Sequence, residues 1–182
     1  DAWLNLGMAA REAGDLDLTE HAYDQALRIA PDNPDVHYFS GILRIRRGQL
    51  DLARAAFEQA VALHPAFADG WNSLGKVAYL EGRFSDALTL HQKAIVLDPR
   101  VPEFHLNRGL AHERLGEDGP ALQAFARAAN LNPQYGDAFA CLGNLMMKYG
   151  KRADAIRLYE RAIEIDPQHP GYRRNLARAR GY

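Results

Sequence analysis

The chain has 182 residues, and its 22 basic and 23 acidic side chains give it a formal net charge of -1 at pH 7. A nearly neutral chain has no global attraction for nucleic acid or for an anionic membrane, so we expect neither as a partner. No apolar run approaches the ~20 residues of a membrane-spanning helix. The single cysteine, Cys141, excludes an internal disulfide and favours a reducing compartment such as the cytoplasm.

Small residues and prolines recur along the chain at a spacing of 34 residues. A period shared by several positions indicates an array of repeats rather than a domain with one central core. Two glycine series keep this spacing, namely Gly7, Gly41, Gly75, Gly109 and Gly143, and Gly14, Gly48, Gly82, Gly116 and Gly150. An alanine series and a proline series keep it as well, namely Ala26, Ala60, Ala94, Ala128 and Ala162, and Pro31, Pro65, Pro99, Pro133 and Pro167.

The third repeat shows most clearly why these residues predict two helices. Trp71, Leu74, Gly75 and Ala78 stand at i, i+3, i+4 and i+7, which places them on one face of a helix. Gly82 is expected to end that helix, because glycine enters the left-handed backbone region at little cost.

The second helix of this repeat is expected to begin at a cap formed by Ser85 or Asp86. Ala87 and Ala94 then share its buried face. We expect Gly75 to face these two alanines, so that small residues meet where the two helices cross closely. Each repeat is therefore predicted to be a helical hairpin whose remaining apolar face is covered by the next hairpin.

At this period, the pattern W-x2-L-G followed by A, an aromatic residue, A and P resembles the tetratricopeptide repeat. The best first-helix matches are Trp3-Leu6-Gly7, Trp71-Leu74-Gly75 and Phe139-Leu142-Gly143. The best second-helix matches are Ala53-Phe57-Ala60, Ala121-Phe125-Ala128 and Ala155-Tyr159-Ala162. The resemblance implies an all-α fold, an α-solenoid in which five helix pairs form a right-handed superhelix. It also implies that partners bind in a concave groove and that the chain is not a catalyst.

The resemblance divides the chain into five repeats and a C-terminal capping helix. The expected bounds are 1–33, 34–67, 68–101, 102–135 and 136–169 for the repeats, and 170–182 for the capping helix. His37 and His105 take the place of the usual tryptophan, and Arg108 takes the place of a leucine, where it needs a polar partner or a route to the rim. In the capping helix, Tyr172 and Ala179 are expected to face the fifth repeat.

The first helix, near Asp1–Ala13, would normally pack on a preceding repeat through Ala2, Leu6 and Ala9. Without such a neighbour it has an uncovered apolar face, whereas the ends of repeat arrays need a polar cap. Two explanations stay open. Either further repeats precede Asp1 in the parent protein, or this face contacts another copy of the chain.

In this family the first helix of each repeat lines the concave groove, and its inward residues lie one position beyond the packing stripe. The predicted peptide-binding residues are Asn5, Met8, Tyr38, Ile42, Asn72, Lys76, Tyr79, Asn107, Leu110, Asn144, Met147, Arg174 and Arg178. Aromatic and aliphatic side chains in such a stripe suggest a contact surface. Asn5, Asn107 and Asn175 occupy one equivalent place, which partly resembles the peptide-binding groove of O-GlcNAc transferases. Leu106 and Leu110 break the carboxylate clamp of chaperone-binding members, so we do not predict binding of chaperone tails.

Few residues suggest chemistry. His91, His105 and His112 could form a metal site, but they lack a close pair such as H-x3-H and an accompanying Cys/His cluster. We expect them to fill aromatic packing positions. Cys141 lies beside a core leucine on a predicted helix and is expected to be a packing residue rather than a nucleophile. No P-loop or G-x-S-x-G motif occurs, so we expect no metal, no cofactor and no enzymatic activity.

Three functions stay open at this point. The chain is predicted to be a protein-interaction scaffold that binds a peptide or protein segment through apolar contacts and amide hydrogen bonds. It could instead be the substrate-recruiting arm of a larger enzyme, such as a glycosyltransferase, whose catalytic domain lies outside this chain. It could also be a self-assembly module that forms a homo-oligomer through the face around Leu6.

Overall fold

A computed structural model describes residues 2–182 of the chain. Within them it contains eleven α-helices and no strand. The helices of the first three pairs are α1 (Ala2–Ala13), α2 (Leu16–Ile29), α3 (Pro34–Arg46), α4 (Leu50–Leu63), α5 (Ala68–Leu80) and α6 (Phe84–Leu97). The remaining helices are α7 (Pro102–Arg114), α8 (Asp118–Leu131), α9 (Gly136–Lys148), α10 (Arg152–Ile165) and α11 (Pro170–Arg180). Asp1, at the predicted start of the first helix, lies outside the described residues.

The helices divide into two compact units. Unit 1 ends at Leu97 and contains α1 to α6, and unit 2, Asp98–Tyr182, contains α7 to α11. Within each unit, sequential helices pack as hairpins, and the second helix of one hairpin also packs on the first helix of the next. None of the helices in residues 2–182 combines the length and apolarity that a membrane crossing requires.

The turns inside the hairpins carry the second glycine series, as predicted. Gly82 has φ of +78°, and Gly14, Gly48, Gly116 and Gly150 have φ between +70° and +80°. After Gly82, the Arg83 amide donates to the Ala78 carbonyl at 2.8 Å, which completes the end of the helix. A side chain with a Cβ would be strained at these positions.

Side chains cap two helices of unit 1, and a third helix lacks the cap that the sequence predicted. Asp15 caps α2 by accepting from the Leu18 amide at 3.0 Å, and Asn33 caps α3 by accepting from the Asp35 amide at 2.9 Å. The prediction that Ser85 or Asp86 caps α6 is wrong, because both lie inside that helix. Asp86 instead accepts a hydrogen bond from Arg83 at 2.7 Å.

In each hairpin a ring fills the crossing of the two helices. The space beside Gly75 is filled by the imidazole ring of His91, and a Cβ on this glycine would lie 2.6 Å from the Cε1 atom. His91 lies between Ala87 and Ala94 on the helix face that was predicted to meet Gly75, and its ring occupies the place next to the glycine. The same pairing recurs in the other hairpins, where the ring neighbours of Gly7, Gly41, Gly109 and Gly143 are Tyr23, Phe57, Phe125 and Tyr159. The glycine series thus makes room for a ring sixteen residues later.

The last helix packs on the preceding hairpin through the residues that the sequence predicted. Tyr172 is 5% exposed and Ala179 is fully buried. The Tyr172 hydroxyl donates to Asp137 at 2.6 Å, and Arg180 on the outer side forms an ion pair with Glu160 at 2.6 Å. These contacts anchor α11 to both helices of the preceding hairpin, α9 and α10.

Candidate first-helix surfaces

The predicted binding residues all lie on the first helices of the hairpins or on α11. We call the faces that carry them the first-helix surfaces, one in each unit. The surface of unit 1 contains Asn5, Met8, Tyr38, Ile42, Asn72, Lys76 and Tyr79. The surface of unit 2 contains Asn107, Leu110, Asn144, Met147, Arg174 and Arg178.

The unit 1 surface is mainly aromatic and aliphatic. Tyr38 is half-buried, and its ring centre lies 4.9 Å from Phe67, 5.3 Å from Phe39 and 5.8 Å from Phe57. Ile42 packs against the same core cluster. These side chains therefore have one side in the core and one side that stays accessible. Tyr79 is also half-buried and packs on Phe84 with ring centres 5.3 Å apart, and Asn5 and Lys76 are exposed.

Asn72 was predicted to be a binding residue, but the structure buries it. It is only 3% exposed, and its Oδ1 atom lies 2.9 Å from Nδ1 of the buried His91. The amide thus orients the ring that fills the space beside Gly75, and it does not present donors to a ligand. Sequence spacing alone missed this role, because a histidine takes the ring position that is otherwise Tyr or Phe.

The unit 2 surface is mainly polar, and it brings two asparagines together. The Asn144 Oδ1 atom accepts from the Tyr159 hydroxyl at 2.8 Å and from the Asn175 amide at 3.3 Å. Both asparagines are half-buried. Burial raises the pKa of Tyr159, while a hydrogen bond with Arg178 acts in the opposite direction. The phenol therefore stays protonated and keeps donating to Asn144.

The two predicted arginines lie beside this pair. Arg174 and Arg178 are exposed and one helical turn apart on α11, so they face the same side.

Met147 is half-buried and packs with Leu176 against Tyr159 and Ala179. Leu110 packs on the neighbouring core cluster and is also half-buried, as is Asn107. Amides, cations and a thioether thus share one surface.

Cys141 is half-buried on α9 of unit 2. Burial raises the pKa of the Cys141 thiol to about 12, with smaller contributions from Glu113 and Asp137. The thiol is therefore neutral at physiological pH and packs in the core cluster of unit 2, as predicted. Burial also raises the pKa of Glu113, and it lowers the pKa of the half-buried Arg108 guanidinium.

The three histidines considered as metal ligands each have a local partner. His91 contacts Asn72, His105 donates to the Pro99 carbonyl at 3.0 Å, and His112 lies 2.6 Å from Glu117. Across residues 2–182, no three His, Cys, Asp or Glu side chains are grouped so that they could hold a metal ion.

Sequence reasoning missed the role of the tryptophan position. Trp71 Nε1 donates to the Pro65 carbonyl at 2.9 Å, and His37 Nε2 lies 2.7 Å from the Pro31 carbonyl. His105 makes the same contact in unit 2. The signal was a proline six residues before a ring with an N–H group. Phe139 has no such group, and there Arg161 donates to the Pro133 carbonyl at 3.3 Å instead.

Comparison with known families and structures agrees with this architecture. Family models described as Tetratricopeptide repeat match residues 40–102 and 81–136, residues 136–169 and residues 1–33. No curated protein matches the chain.

Several solved structures share the fold. The thermophilic TPR protein TTC0263 of Thermus thermophilus is 24% identical, with a TM-score of 0.83 over 98% of this chain and 97% of that one. PilF of Pseudomonas aeruginosa is 20% identical, with a TM-score of 0.85 over 98% and 87%. YrrB, described as a TPR protein with an unusual peptide-binding site, is 23% identical, with a TM-score of 0.69 over 94% and 89%. The predicted all-α fold of helix pairs is confirmed, and the chain belongs to the tetratricopeptide repeat family.

Proposed function

We propose that this chain is a protein-interaction scaffold whose first-helix surfaces bind an extended peptide. The observation that carries the proposal is the pair Asn144 and Asn175, held together at 3.3 Å beside Arg174 and Arg178. A buried hydroxyl fixes the orientation of this amide pair, so it is preorganised for a ligand.

The hydrogen-bonding capacity of the pair suits a peptide backbone. The Asn144 oxygen already accepts two hydrogen bonds, from Tyr159 and Asn175. Its NH₂ group and the oxygen of Asn175 remain to donate to a peptide carbonyl and to accept from a peptide amide. Such bonds hold a main chain whatever its side chains are. Arg174 and Arg178 add a preference for acidic side chains.

The surface of unit 1 suits different parts of a partner. Tyr38, Ile42, Met8 and Tyr79 offer aromatic and flexible apolar contacts, which favour aliphatic or aromatic side chains. The peptide-binding site named for YrrB supports peptide recognition on this fold. A recruiting arm of a larger enzyme would use the same surfaces, so the experiment below tests both possibilities.

An array of short random peptides tests the proposal. Asn175→Ala should lower the affinity for the captured peptides about five-fold, because it removes an amide that is held in a fixed orientation. Arg174→Ala and Arg178→Ala should each lower the affinity for acidic peptides about three-fold, as expected for the loss of an exposed charge. Arg173→Ala is the matched control, since it is exposed on the same helix and lies next to Arg174 in the chain.

In unit 1, Tyr38→Ala and Tyr79→Ala should reduce capture of peptides with aromatic or aliphatic side chains. An array in which no peptide binds, or in which all these variants bind as the parent does, would contradict the proposal.

A second candidate function is self-assembly through α1. Leu6 is 40% exposed, and Ala2 and Ala9 on the same helix are exposed too. A symmetric pairing of two such faces would bury them. Light scattering against concentration tests this candidate. A mass that rises with concentration and falls back in Leu6→Ser would support it, and a strict monomer at high concentration would exclude it.

A further inference from the structure

Tyr23 in unit 1 has a buried hydroxyl with no hydrogen-bond partner among residues 2–182. The residue is 1% exposed, and its ring fills the space beside Gly7. Buried polar atoms are rarely left without a partner, because the loss of hydration is not compensated. The exception therefore requires an explanation.

The equivalent residue in unit 2 shows what normally satisfies such a hydroxyl. Tyr159 follows Gly143 as Tyr23 follows Gly7, and each ring covers its glycine. The Tyr159 hydroxyl donates to Asn144, the residue directly after Gly143. In unit 1 the residue directly after Gly7 is Met8, which offers only a weak sulfur acceptor. The position equivalent to Asn175 is likewise not an amide but Phe39.

A cation contacts the same aromatic ring as Tyr23. The guanidinium carbon of Arg11 is 5.2 Å from the ring centre of Phe39, and the Tyr23 ring stacks on the same Phe39 with centres 6.3 Å apart. Arg11 is half-buried and forms no ion pair within residues 2–182. The carboxylate of Glu20, on the neighbouring helix α2, is already taken by Arg44 at 2.5 Å and Arg47 at 3.0 Å.

Both groups are donors. Burial raises the pKa of Tyr23, against smaller opposite effects of Arg11 and Arg46, so the phenol keeps its proton at physiological pH. The guanidinium has only N–H donors. A site with a phenol, a guanidinium and an aromatic wall needs an acceptor, and an anionic acceptor suits it best.

We propose that Tyr23, Arg11 and Phe39 receive the side-chain carboxylate of an Asp or Glu in a bound peptide. One carboxylate oxygen accepts from the Tyr23 hydroxyl, in the place that the Asn144 oxygen takes in unit 2, and the other accepts from Arg11. The flexible Met8 side chain moves aside to admit it. This inference rests on the proposed peptide binding but assigns a different chemistry to unit 1, whose surface is mainly aromatic and aliphatic.

Pairs of peptides that differ only by Glu or Gln test the site. Each peptide captured from the random array is synthesised again in two versions for every acidic position, one with Glu and one with Gln at that position. Arg11→Gln should reduce the Glu preference about ten-fold at one position, and Tyr23→Phe about three-fold at the same position. Arg28→Gln, exposed in the last turn of α2, is the control and should leave the preference unchanged.

Tyr23→Phe should not lower the melting temperature, because the hydroxyl makes no bond in the free protein. A marked decrease would mean that the hydroxyl has an internal partner, and it would overturn the proposal.

A titration with sodium propionate separates this site from peptide binding itself. In protein with isotope-labelled tyrosine, propionate should shift the ring signals of Tyr23 in the parent and not in Arg11→Gln, and uncharged propionamide should shift neither. If peptides bind without a preference for Glu and propionate does not shift the ring signals of Tyr23, the inference fails and the scaffold proposal stands. If propionate shifts Tyr23 and no peptide binds, the site stands and peptide binding falls.

Discussion

Tyr23 in unit 1 and Tyr159 in unit 2 occupy the same place in their hairpins but have opposite surroundings. The hydroxyl of Tyr159 donates to Asn144 at 2.8 Å, whereas that of Tyr23 has no partner among the described residues. The two rings have the same packing role, since each fills the space beside a glycine. The comparison teaches that the ring serves the fold in both units, whereas the surroundings of the hydroxyl vary between them.

The largest expected effect concerns the part that the two units share. Gly143→Ala should destabilise the protein by about 2 kcal/mol, because the collision with Tyr159 outweighs the gain in helix propensity of about 1 kcal/mol. The Tyr159 ring cannot easily retreat, since Ala155 and Ala179 pack against it. Urea unfolding gives the free energies.

Two further glycines sharpen this result. Gly7→Ala should also destabilise the protein, because a Cβ there would collide with the buried Tyr23 ring. Gly119→Ala has open space around it and should not destabilise. Equal losses at Gly143 and Gly119 would contradict the pairing of glycine and ring.

A smaller effect should separate the two tyrosines. Tyr159→Phe should lower the free energy of unfolding by about 1 kcal/mol, because Asn144 loses its shorter hydrogen bond. Tyr23→Phe should leave it unchanged or raise it slightly. Thermal and urea unfolding of both variants measure the difference. Met8→Asn would place an amide opposite Tyr23, and in that background Tyr23→Phe should become destabilising. Losses of the same size in the two parent variants would contradict the comparison.

The smallest expected effect is a pH dependence that arises from His105 in unit 2. Burial lowers the pKa of His105 below its usual 6.5, and Arg108 and Arg127 add to this effect against the hydrogen bond to Pro99. The unfolded state then binds the proton more readily than the folded state. Stability should be complete above about pH 6.5 and fall as the pH decreases through that value.

The corresponding ring in the third hairpin of unit 1, Trp71, makes the same bond and does not titrate in this range. His105→Trp should therefore remove this part of the pH dependence, as measured by urea midpoints between about pH 5 and 7.5. If the urea midpoint of His105→Trp changes with pH as steeply as that of the parent, other groups cause the pH dependence.

The sequence was sufficient for features that depend on neighbours in the chain. The period located the hairpins, and Gly82 has the turn geometry expected of it. The packing of Tyr172 and Ala179 was also predicted, because helical spacing places them on one face. The first-helix positions of the candidate site were predicted in the same way.

Contacts between helices were less predictable. The spacing of small residues suggested that Gly75 meets alanines, but which side chain fills a crossing depends on the crossing angle and the rotamer of His91. Helical spacing placed Asn72 among the groove residues, but it is buried and contacts the imidazole of His91, which the spacing could not show. The partner of a buried hydroxyl likewise depends on the second helix. The binding residues themselves stay a prediction until the peptide experiments are done.

The pairing of glycine and ring has a consequence for how such chains change in evolution. Gly41 and Phe57, or Gly109 and Phe125, belong to the same hairpin, so both partners lie within one stretch of 34 residues. Duplication or deletion of a whole stretch keeps every glycine with its own ring. With the proposed bounds at 34–67 or 102–135, a gene can therefore gain or lose repeats by recombination without a compensating mutation, while the residues that face a ligand diverge freely.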